Sequence, residues 1–165
     1  MLIDKLATFS WETAVTADAI SDVIDLLPTS GALNAGSTGG PGANVIRDIG
    51  AGKPLYLHIL ITTTFLASGG AAEFTVTLES DSAAGLDSSA TTHWTSTAAI
   101  PKATMVAGFW VAKGVAIPAG AYERYLGLRY NAITNDFTAG KISVWLSENR
   151  YDDRTYEGGW TTGID

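Results

Sequence analysis

The side chains that could carry out catalysis or bind a metal are few in this chain and do not form a recognised motif. Two histidines are present, His58 and His93. A zinc site built from three histidines is therefore impossible, and neither the HExxH pattern of zinc proteases nor a GxSxG nucleophile motif occurs. We interpret both histidines as structural residues, His58 within a strand and His93 beside Trp94 near a loop.

Three carboxylates flank one predicted loop and raise the question of a calcium site, because calcium prefers oxygen ligands. They are Glu79, Asp81 and Asp87. Their spacing does not match an EF-hand loop, and we expect them to be solvated surface residues. Two carboxylates brought together in one cleft could also act as in a glycosidase. A hydrolase therefore stays a third hypothesis for the function.

One glycine-rich segment has the glycine spacing of a phosphate-binding loop, from Gly31 to Thr38. It contains no lysine to reach the phosphates, and no buried strand precedes it. We interpret it as part of a long exposed loop from Thr29 to Gly42. No nucleotide and no other cofactor or metal is expected.

Composition and charge narrow the classes of function. The chain has 165 residues, which fits one domain with its own core, and it has no cysteine. Its ten basic residues are scattered and the net charge is −7, so nucleic-acid binding is not expected. The longest apolar run is far too short to span a membrane, and the charged start does not fit a signal peptide. We expect synthesis in the cytoplasm.

The residue pattern predicts an all-β chain rich in Thr, Ser, Gly and Ala. Alternating or β-branched runs predict strands at Leu55–Phe65, Glu73–Glu79, His93–Ala99, Phe109–Ile117, Tyr122–Tyr130 and Lys141–Ser147. The first two runs are predicted to be neighbouring antiparallel strands. About seven short strands at these spacings suggest a sandwich or jelly roll.

The segment around residues 18–27 fits two structures. Helical spacing relates Ile20, Val23, Ile24 and Leu27, with Asp18 as an N-cap. As a strand, the same segment places Ile20, Ile24 and Leu26 on one face. Periodicity favours the helix slightly, whereas the composition elsewhere and the resemblance described below favour a strand, which is our prediction.

Large aromatic residues suggest where the protein meets neighbours. Several lie on strand faces opposite the predicted core or in the two chain ends: Phe9, Trp11, Tyr56, Tyr125, Trp145, Tyr151, Tyr156 and Trp160. Aromatic residues are enriched at protein interfaces, and we predict that these contact other subunits. The alternative is that both strand faces are covered within the domain. Residues 1–165 are predicted to form one sandwich domain, with an N-terminal arm at 1–15 and a C-terminal tail at 148–165.

Several stretches, in this order and spacing, resemble the tailed-phage capsid cement or decoration proteins typified by the Bordetella-phage cement protein. The resemblance runs from about residue 9 to residue 148, and its most specific part is the stretch from Arg47 to Leu57, RDIGAGKPLYL. The other matching stretches are Phe9–Ser10 with Ala14–Ala17 and Val23–Leu26, Thr62–Phe65, Phe74–Glu79, Ile100–Thr104 with Val106–Gly108, Glu123–Tyr130 and Phe137–Gly140.

The resemblance implies a jelly-roll-like antiparallel β-sandwich with extended terminal segments. It also implies a structural protein without catalytic residues, made in the host bacterial cytoplasm and placed on the outer capsid surface of the virion. Its partners would be the major capsid protein and copies of itself, for which we expect a dimer rather than a trimer. The alternative function is a carbohydrate-binding sandwich module of a phage surface protein, with Trp94, Trp110 and Trp145 as candidate sugar platforms.

Overall fold

The computed structural model describes residues 7–26, 54–87, 89–148 and 150, and these residues form an antiparallel β-sandwich. The predicted all-β sandwich is confirmed. The strands are β1 (Thr8–Ala14), β2 (Ala19–Ile20), β3 (Ile24–Asp25), β4 (Tyr56–Leu66), β5 (Glu73–Asp81), β6 (Thr91–Thr95), β7 (Ile100–Pro101), β8 (Trp110–Ala116), β9 (Tyr125–Ile133) and β10 (Ala139–Ser147). A short 3₁₀ helix, Lys102–Thr104, follows β7.

The strands divide between two sheets that pack face to face. The first sheet has the order β1-β10-β4-β8. The second sheet is built around β9 and β5, with β2 and β3 on the outer side of β9 and with β6 and β7 on the outer side of β5. Consecutive strands repeatedly change sheet, as β4 to β5 and β8 to β9 to β10 do. This alternation is the jelly-roll-like connectivity that the resemblance implies.

The prediction that β4 and β5 are neighbours is wrong. In the structure β4 pairs with β10 and β8, whereas β5 pairs with β9, β6 and β7. Alternation of apolar residues tells which face of a strand is buried, but it does not tell which strand lies beside it. The connection after β4 crosses to the other sheet, and the Lys102 ammonium fixes it by donating to the carbonyl oxygens of Ala67, at 3.2 Å, and Gly69, at 3.1 Å.

The core between the sheets follows the predicted alternation. The buried apolar residues of the four long strands include Leu57, Ile59 and Ile61 on β4, Phe74, Val76 and Leu78 on β5, Leu126, Leu128 and Tyr130 on β9, and Ile142, Val144 and Leu146 on β10. The ring of Phe65 lies against Phe74 and Phe137, with centroid distances of 5.3 Å and 5.0 Å. A Cβ at Gly140 would stand 2.5 Å from Phe65 Cγ, and φ there is +151°, so the position requires glycine.

The segment with two interpretations forms two short strands and no helix, as predicted. The prediction that Ile20 shares a face with Ile24 and Leu26 is wrong, because Ile20 is exposed and the other two are buried. Pairing with β9 explains why helical spacing does not prevail: Ile20 is opposite Arg129 and Ile24 is opposite Leu126. In the sheet, this segment forms backbone hydrogen bonds with a strand that is already in place. A helix this short would have to form its hydrogen bonds within itself, which is only marginally favourable. Asp18 caps no helix, and its carboxylate instead accepts the Ala132 N–H at 2.8 Å.

The prediction of an N-terminal arm at residues 1–15 is wrong from Thr8 onwards. Residues Thr8–Ala14 are β1, an edge strand of the first sheet that pairs with β10. The Ser10 and Tyr130 hydroxyls, both buried, hydrogen bond at 2.8 Å and so tie β1 to the second sheet across the core. Residues 1–6, the predicted loop at 29–42 and the predicted tail from residue 151 lie outside the described residues.

Candidate functional site

The structure places the predicted contact residues in different environments. Phe9 is fully buried in the core of its own domain, so its assignment as a contact residue is corrected. Trp11 is 59% exposed on the edge strand β1. Tyr56 and Tyr125 are half-buried at the starts of β4 and β9. The other predicted contacts in the C-terminal tail, Tyr151, Tyr156 and Trp160, lie outside the described residues.

Trp145 lies on the predicted side of β10, opposite Ile142, Val144 and Leu146, but it is only 4% exposed. Its ring stacks on His58 with a centroid distance of 5.3 Å and an interplanar angle of 11°. The His58 imidazole is itself fully buried, and its Nε2 hydrogen bonds to the Ser147 hydroxyl at 2.9 Å. Trp145 is thus a buried residue of its own domain, and its assignment as a surface contact is corrected.

The three tryptophans proposed as a sugar platform do not form one. Trp110 crosses Trp145 at 67° with a centroid distance of 5.8 Å, and the Lys113 ammonium lies 5.6 Å from the Trp110 ring. Trp94 packs against the core on the other sheet. A sugar platform needs exposed rings in one plane, and these three side chains do not provide such a pair.

Trp11 is exposed at a break in the pairing of β1 with β10. The register shifts between Ser10 and Thr13, and Glu12 has a φ of +47°. The Glu12 N–H donates to the Ser143 hydroxyl at 2.9 Å, so this bulge is fixed by a hydrogen bond. Edge bulges of this kind reorient side chains and interrupt a regular edge. The result is a large aromatic side chain held on a rigid edge of the sandwich.

A well-anchored loop covers part of the outer face of the second sheet. This 82–90 loop is held first by Asp81, which is fully buried. The Asp81 carboxylate accepts the N–H of Asp87 at 2.8 Å and of Ala83 at 3.4 Å, and the Ser89 hydroxyl at 3.3 Å. Burial raises the pKa of the Asp81 carboxyl, but these donors lower it more, so its pKa lies below the ordinary value. Asp81 is ionised at neutral pH and organises the loop.

The second anchor is an ion pair on the same face. Arg129 Nε donates to Glu79 Oε2 at 3.0 Å, and its terminal nitrogen donates to the Leu86 carbonyl oxygen. The other Glu79 oxygen accepts the Thr77 hydroxyl at 2.6 Å. Glu79 and Asp81 are therefore buried and used by the fold, and our expectation that both are solvated surface residues is wrong.

The 82–90 loop and the ion pair border an open surface depression of about 450 Å³, lined by Glu79, Gly85, Leu86, Asp87, Ala90 and Arg129. The calcium hypothesis gains no support from this arrangement, because Glu79 and Asp81 already bind protein donors. In the part of the chain that the structure describes, no three His, Asp or Glu side chains are grouped so that they could hold a metal. No helix among the described residues is long and apolar enough to cross a membrane.

His93 joins β5 to the segment that precedes β9. Its Nε2 lies 2.7 Å from the Ser80 hydroxyl, and its ring packs against Tyr122 at a tilt of 32° with a centroid distance of 4.0 Å. The Glu123 N–H donates to the same Ser80 oxygen at 3.0 Å. Burial lowers the pKa of His93, and the Glu123 carboxylate opposes this effect in part. Ser80 is fully buried, so its hydroxyl is a structural group and does not reach a substrate.

Comparison with protein families shows which family the chain belongs to. The family model named Bbp16 matches residues 9–146, from the first strand to the penultimate residue of β10. The chain belongs to the Bbp16 family. Bbp16 is a family of Bordetella phage proteins, so the resemblance recognised in the sequence is confirmed. Membership indicates a phage structural protein and a virion component. A search of curated proteins found no match to the chain.

The Bbp16 match includes both structural sites that sequence reasoning missed. These are the anchored 82–90 loop and the contact between His93 and Ser80. The sequence contained a weak signal for the loop, because Asp81 and Asp87 bracket a run of small and polar residues. It contained no signal for the His93 contact, since the partners are distant along the chain and meet only when β5 and β6 pair. The predicted tail contacts lie beyond the Bbp16 match.

Proposed function

We propose that this Bbp16 protein is a cement protein that binds the outside of a phage capsid and stabilises contacts between major capsid subunits. The observation that carries the proposal is the family match over residues 9–146, which spans the sandwich from β1 to β10. A cement protein acts through buried area and shape complementarity, so it needs neither a catalytic group nor a cofactor. We therefore also propose that the chain is not an enzyme.

The surface of the sandwich supports a role in binding other proteins. Large apolar side chains remain exposed on several strands and connections: Trp11, Ile20, Leu66, Val106 and Ile133. Single exposed apolar residues are common, but an aromatic on a rigid edge is the kind that contributes most to binding energy. We propose Trp11 as a contact residue, with the major capsid protein or with a second copy of the chain in a homo-oligomer, most simply a dimer.

Charge supports a protein partner of opposite sign. The net charge of the chain is −7, and the basic residues are few. Such a chain is attracted to a positively charged protein surface and is repelled by nucleic acid. Many copies acting together allow each contact to be weak, because simultaneous engagement multiplies the effect of individual sites.

Binding to shells that lack the protein tests the proposal. The purified chain would be mixed with such shells, the shells sedimented, and the bound copies counted as a function of concentration. We expect saturable binding, with the bound protein accessible to a protease added afterwards. Trp11→Ser should bind more weakly than Leu66→Ser, which removes a similarly exposed apolar residue from β4. Absence of binding at any concentration would contradict the proposal, and screening against glycans would then be the next step.

A further inference from the structure

We infer that His93 is a pH-sensitive latch: the neutral imidazole holds the segment 118–124 on the second sheet, and protonation of His93 releases that segment. The inference is independent of the proposed function. It rests on the hydrogen bonds that converge on one buried hydroxyl, that of Ser80.

The Ser80 hydroxyl determines which protonation state and tautomer of His93 can form this hydrogen bond. Its oxygen accepts the Glu123 N–H at 3.0 Å, and it lies 2.7 Å from His93 Nε2. A hydroxyl has one hydrogen to donate, and Ser80 is fully buried. Donation to His93 Nε2 satisfies that hydrogen, which requires Nε2 to be the unprotonated nitrogen. His93 is thus neutral with its proton on Nδ1.

Protonation of His93 disturbs this arrangement. An imidazolium carries hydrogens on both nitrogens, so Nε2 becomes a donor and faces the Ser80 hydroxyl hydrogen. The Ser80 hydroxyl must then turn away and leave its hydrogen buried without its present acceptor. The contact that joins β6 to Ser80, and through Ser80 to the Glu123 backbone, is weakened at its buried end, the Ser80 hydroxyl.

The charged and titratable groups around His93 affect its protonation in directions that can be stated one by one. From the 118–124 segment, the Glu123 carboxylate favours the charged imidazole, and it is itself held by the Thr91 hydroxyl at 3.2 Å. Burial raises the pKa of Tyr122, so this side chain is neutral in the range where histidine titrates. On β5, Asp81 follows Ser80, and its carboxylate is bound to the 82–90 loop. On β6, the side chains other than His93 do not titrate.

Protonation of His93 affects the middle of the 118–124 segment most. Its flanks have their own hydrogen bonds, from Ile117 N–H to the Leu55 carbonyl oxygen at 3.0 Å and from Leu26 N–H to the Arg124 carbonyl oxygen at 2.7 Å. Arg124 also forms an ion pair with Asp25 at 2.9 Å. The centre is held by the Ser80 and His93 contacts and by the exposed hydrogen bond from the Thr91 hydroxyl to the Glu123 carboxylate. It can therefore open while both ends remain attached.

The sign of the pH dependence follows from the lowered pKa. The open segment leaves His93 in water with its ordinary pKa, and the closed segment lowers that pKa, because burial outweighs Glu123. Protons therefore bind the open form more tightly. The closed form is fully favoured above the ordinary histidine pKa. As pH falls below that value, the equilibrium constant for closing decreases. The factor of this decrease approaches the ratio of the acid dissociation constants of His93 in the closed and open forms.

Nuclear magnetic resonance and hydrogen exchange on the full chain test the latch. With two histidines in the sequence, ¹⁵N-labelled imidazoles are assigned by comparing the chain with His93→Gln. We expect His93 to be neutral with its proton on Nδ1 at pH 8 and to titrate below the ordinary value. Amide protection of Glu123, whose N–H is bonded to Ser80, should fall between pH 8 and pH 5 after correction for intrinsic exchange, whereas that of residues 142–146 in β10 should not.

Variants separate the latch from a general effect of acid. His93→Gln cannot titrate, and its amide oxygen can still accept the Ser80 hydroxyl, so the pH dependence of protection at the Glu123 amide should disappear. Thr92→Ala, on the adjacent exposed position of β6, should keep it. A His93 proton on Nε2 at pH 8, or protection in the unmodified chain that does not change with pH, would overturn the inference even if His93→Gln did not fold. Unchanged pH dependence in a folded His93→Gln would overturn it as well.

Discussion

Leu86 lies directly over Gly127, and the missing side chain of the glycine makes room for it. A Cβ built on Gly127 would stand 2.9 Å from Leu86 Cδ1 and 2.9 Å from Val23 Cγ1. Leu86 is fully buried although it belongs to the 82–90 loop, and its backbone has a φ of +46°. The loop is therefore part of the folded structure of the second sheet and does not project freely into solvent.

Substitution of Gly127 should destabilise the fold by overpacking. We expect Gly127→Ala to lower the free energy of unfolding by about 1–3 kcal/mol, because Leu86 and Val23 must shift to admit the methyl group. Chemical denaturation measures the effect. Gly120→Ala is the matched control, since a Cβ there meets nothing within 4 Å. Equal stability of the two variants would contradict the packing of Leu86 over Gly127.

Loss of Arg129 should cost more than loss of Arg124, although both are paired with a carboxylate among the described residues. Glu79, the partner of Arg129, is buried, whereas Asp25, the partner of Arg124, has a side chain that is 30% exposed. Arg129→Met leaves a buried carboxylate without its cation and is expected to cost about 1–2 kcal/mol after allowance for solvent screening. Arg124→Met should cost less, because its ion pair lies in contact with solvent, which screens the attraction.

Limited proteolysis gives the second readout for the Arg129 prediction. Cleavage within residues 82–90 should become faster in Arg129→Met, because the Leu86 carbonyl also loses its donor. In Arg124→Met the rate of cleavage in this loop should be unchanged. Faster loop cleavage in both variants would show that the Arg129 contacts are not specific anchors of the loop.

Asp81 should make the 82–90 loop sensitive to acid. Its pKa in the folded chain lies below the ordinary value of 3.8, so protons bind more tightly to the unfolded or open form. The stabilisation is fully present well above pH 3.8 and is lost as pH falls through the folded pKa. Hydrogen exchange at the Asp87 N–H between pH 5 and pH 2.5 measures this. Asp81→Asn should exchange faster at pH 5 and respond less to acid, whereas Asp136→Asn, at an exposed position, should behave like the unmodified chain.

The hydroxyl pair of Ser10 and Tyr130 predicts a non-additive pair of substitutions. Tyr130→Phe leaves the buried Ser10 hydroxyl without its partner and is expected to cost about 1–2 kcal/mol. Ser10→Ala should cost a similar amount for the same reason. The double variant, measured by denaturation, should cost clearly less than the two single costs added together. Strict additivity would show that the hydroxyls do not stabilise the contact of β1 with the second sheet.

Strand identity and the core could be predicted from the sequence, whereas the arrangement of strands and the buried polar groups could not. Alternation placed Leu57, Phe74 and Leu128 in the core because period two is a local property of a strand. The partners of β4 and β5 depend on long-range pairing, which alternation does not encode. The burial of Asp81 and Phe9 was missed for a related reason. Asp81 is covered by the 82–90 loop that folds back on it, and Phe9 is covered by parts of the chain that are distant in sequence.

The surface predictions show the same limit. An aromatic on the second face of a strand is either covered by its own domain or left for a partner, and the residue type alone does not distinguish these outcomes. Trp145 is covered because His58 and Trp110 pack on it, whereas Trp11 is exposed because a bulge at Glu12 interrupts the edge strand. Trp11 is accordingly the described residue on which the proposed cement function can be examined most directly.

The rupture temperature of phage shells is the most direct test of that function. Shells lacking the protein would be heated with increasing amounts of the purified chain, and rupture followed by the entry of a nucleic-acid dye. We expect the rupture temperature to rise and to saturate at a fixed number of copies per shell, and Trp11→Ser to give a smaller rise although its own unfolding is unchanged. A rupture temperature that does not change at saturating protein would contradict the proposed cement function.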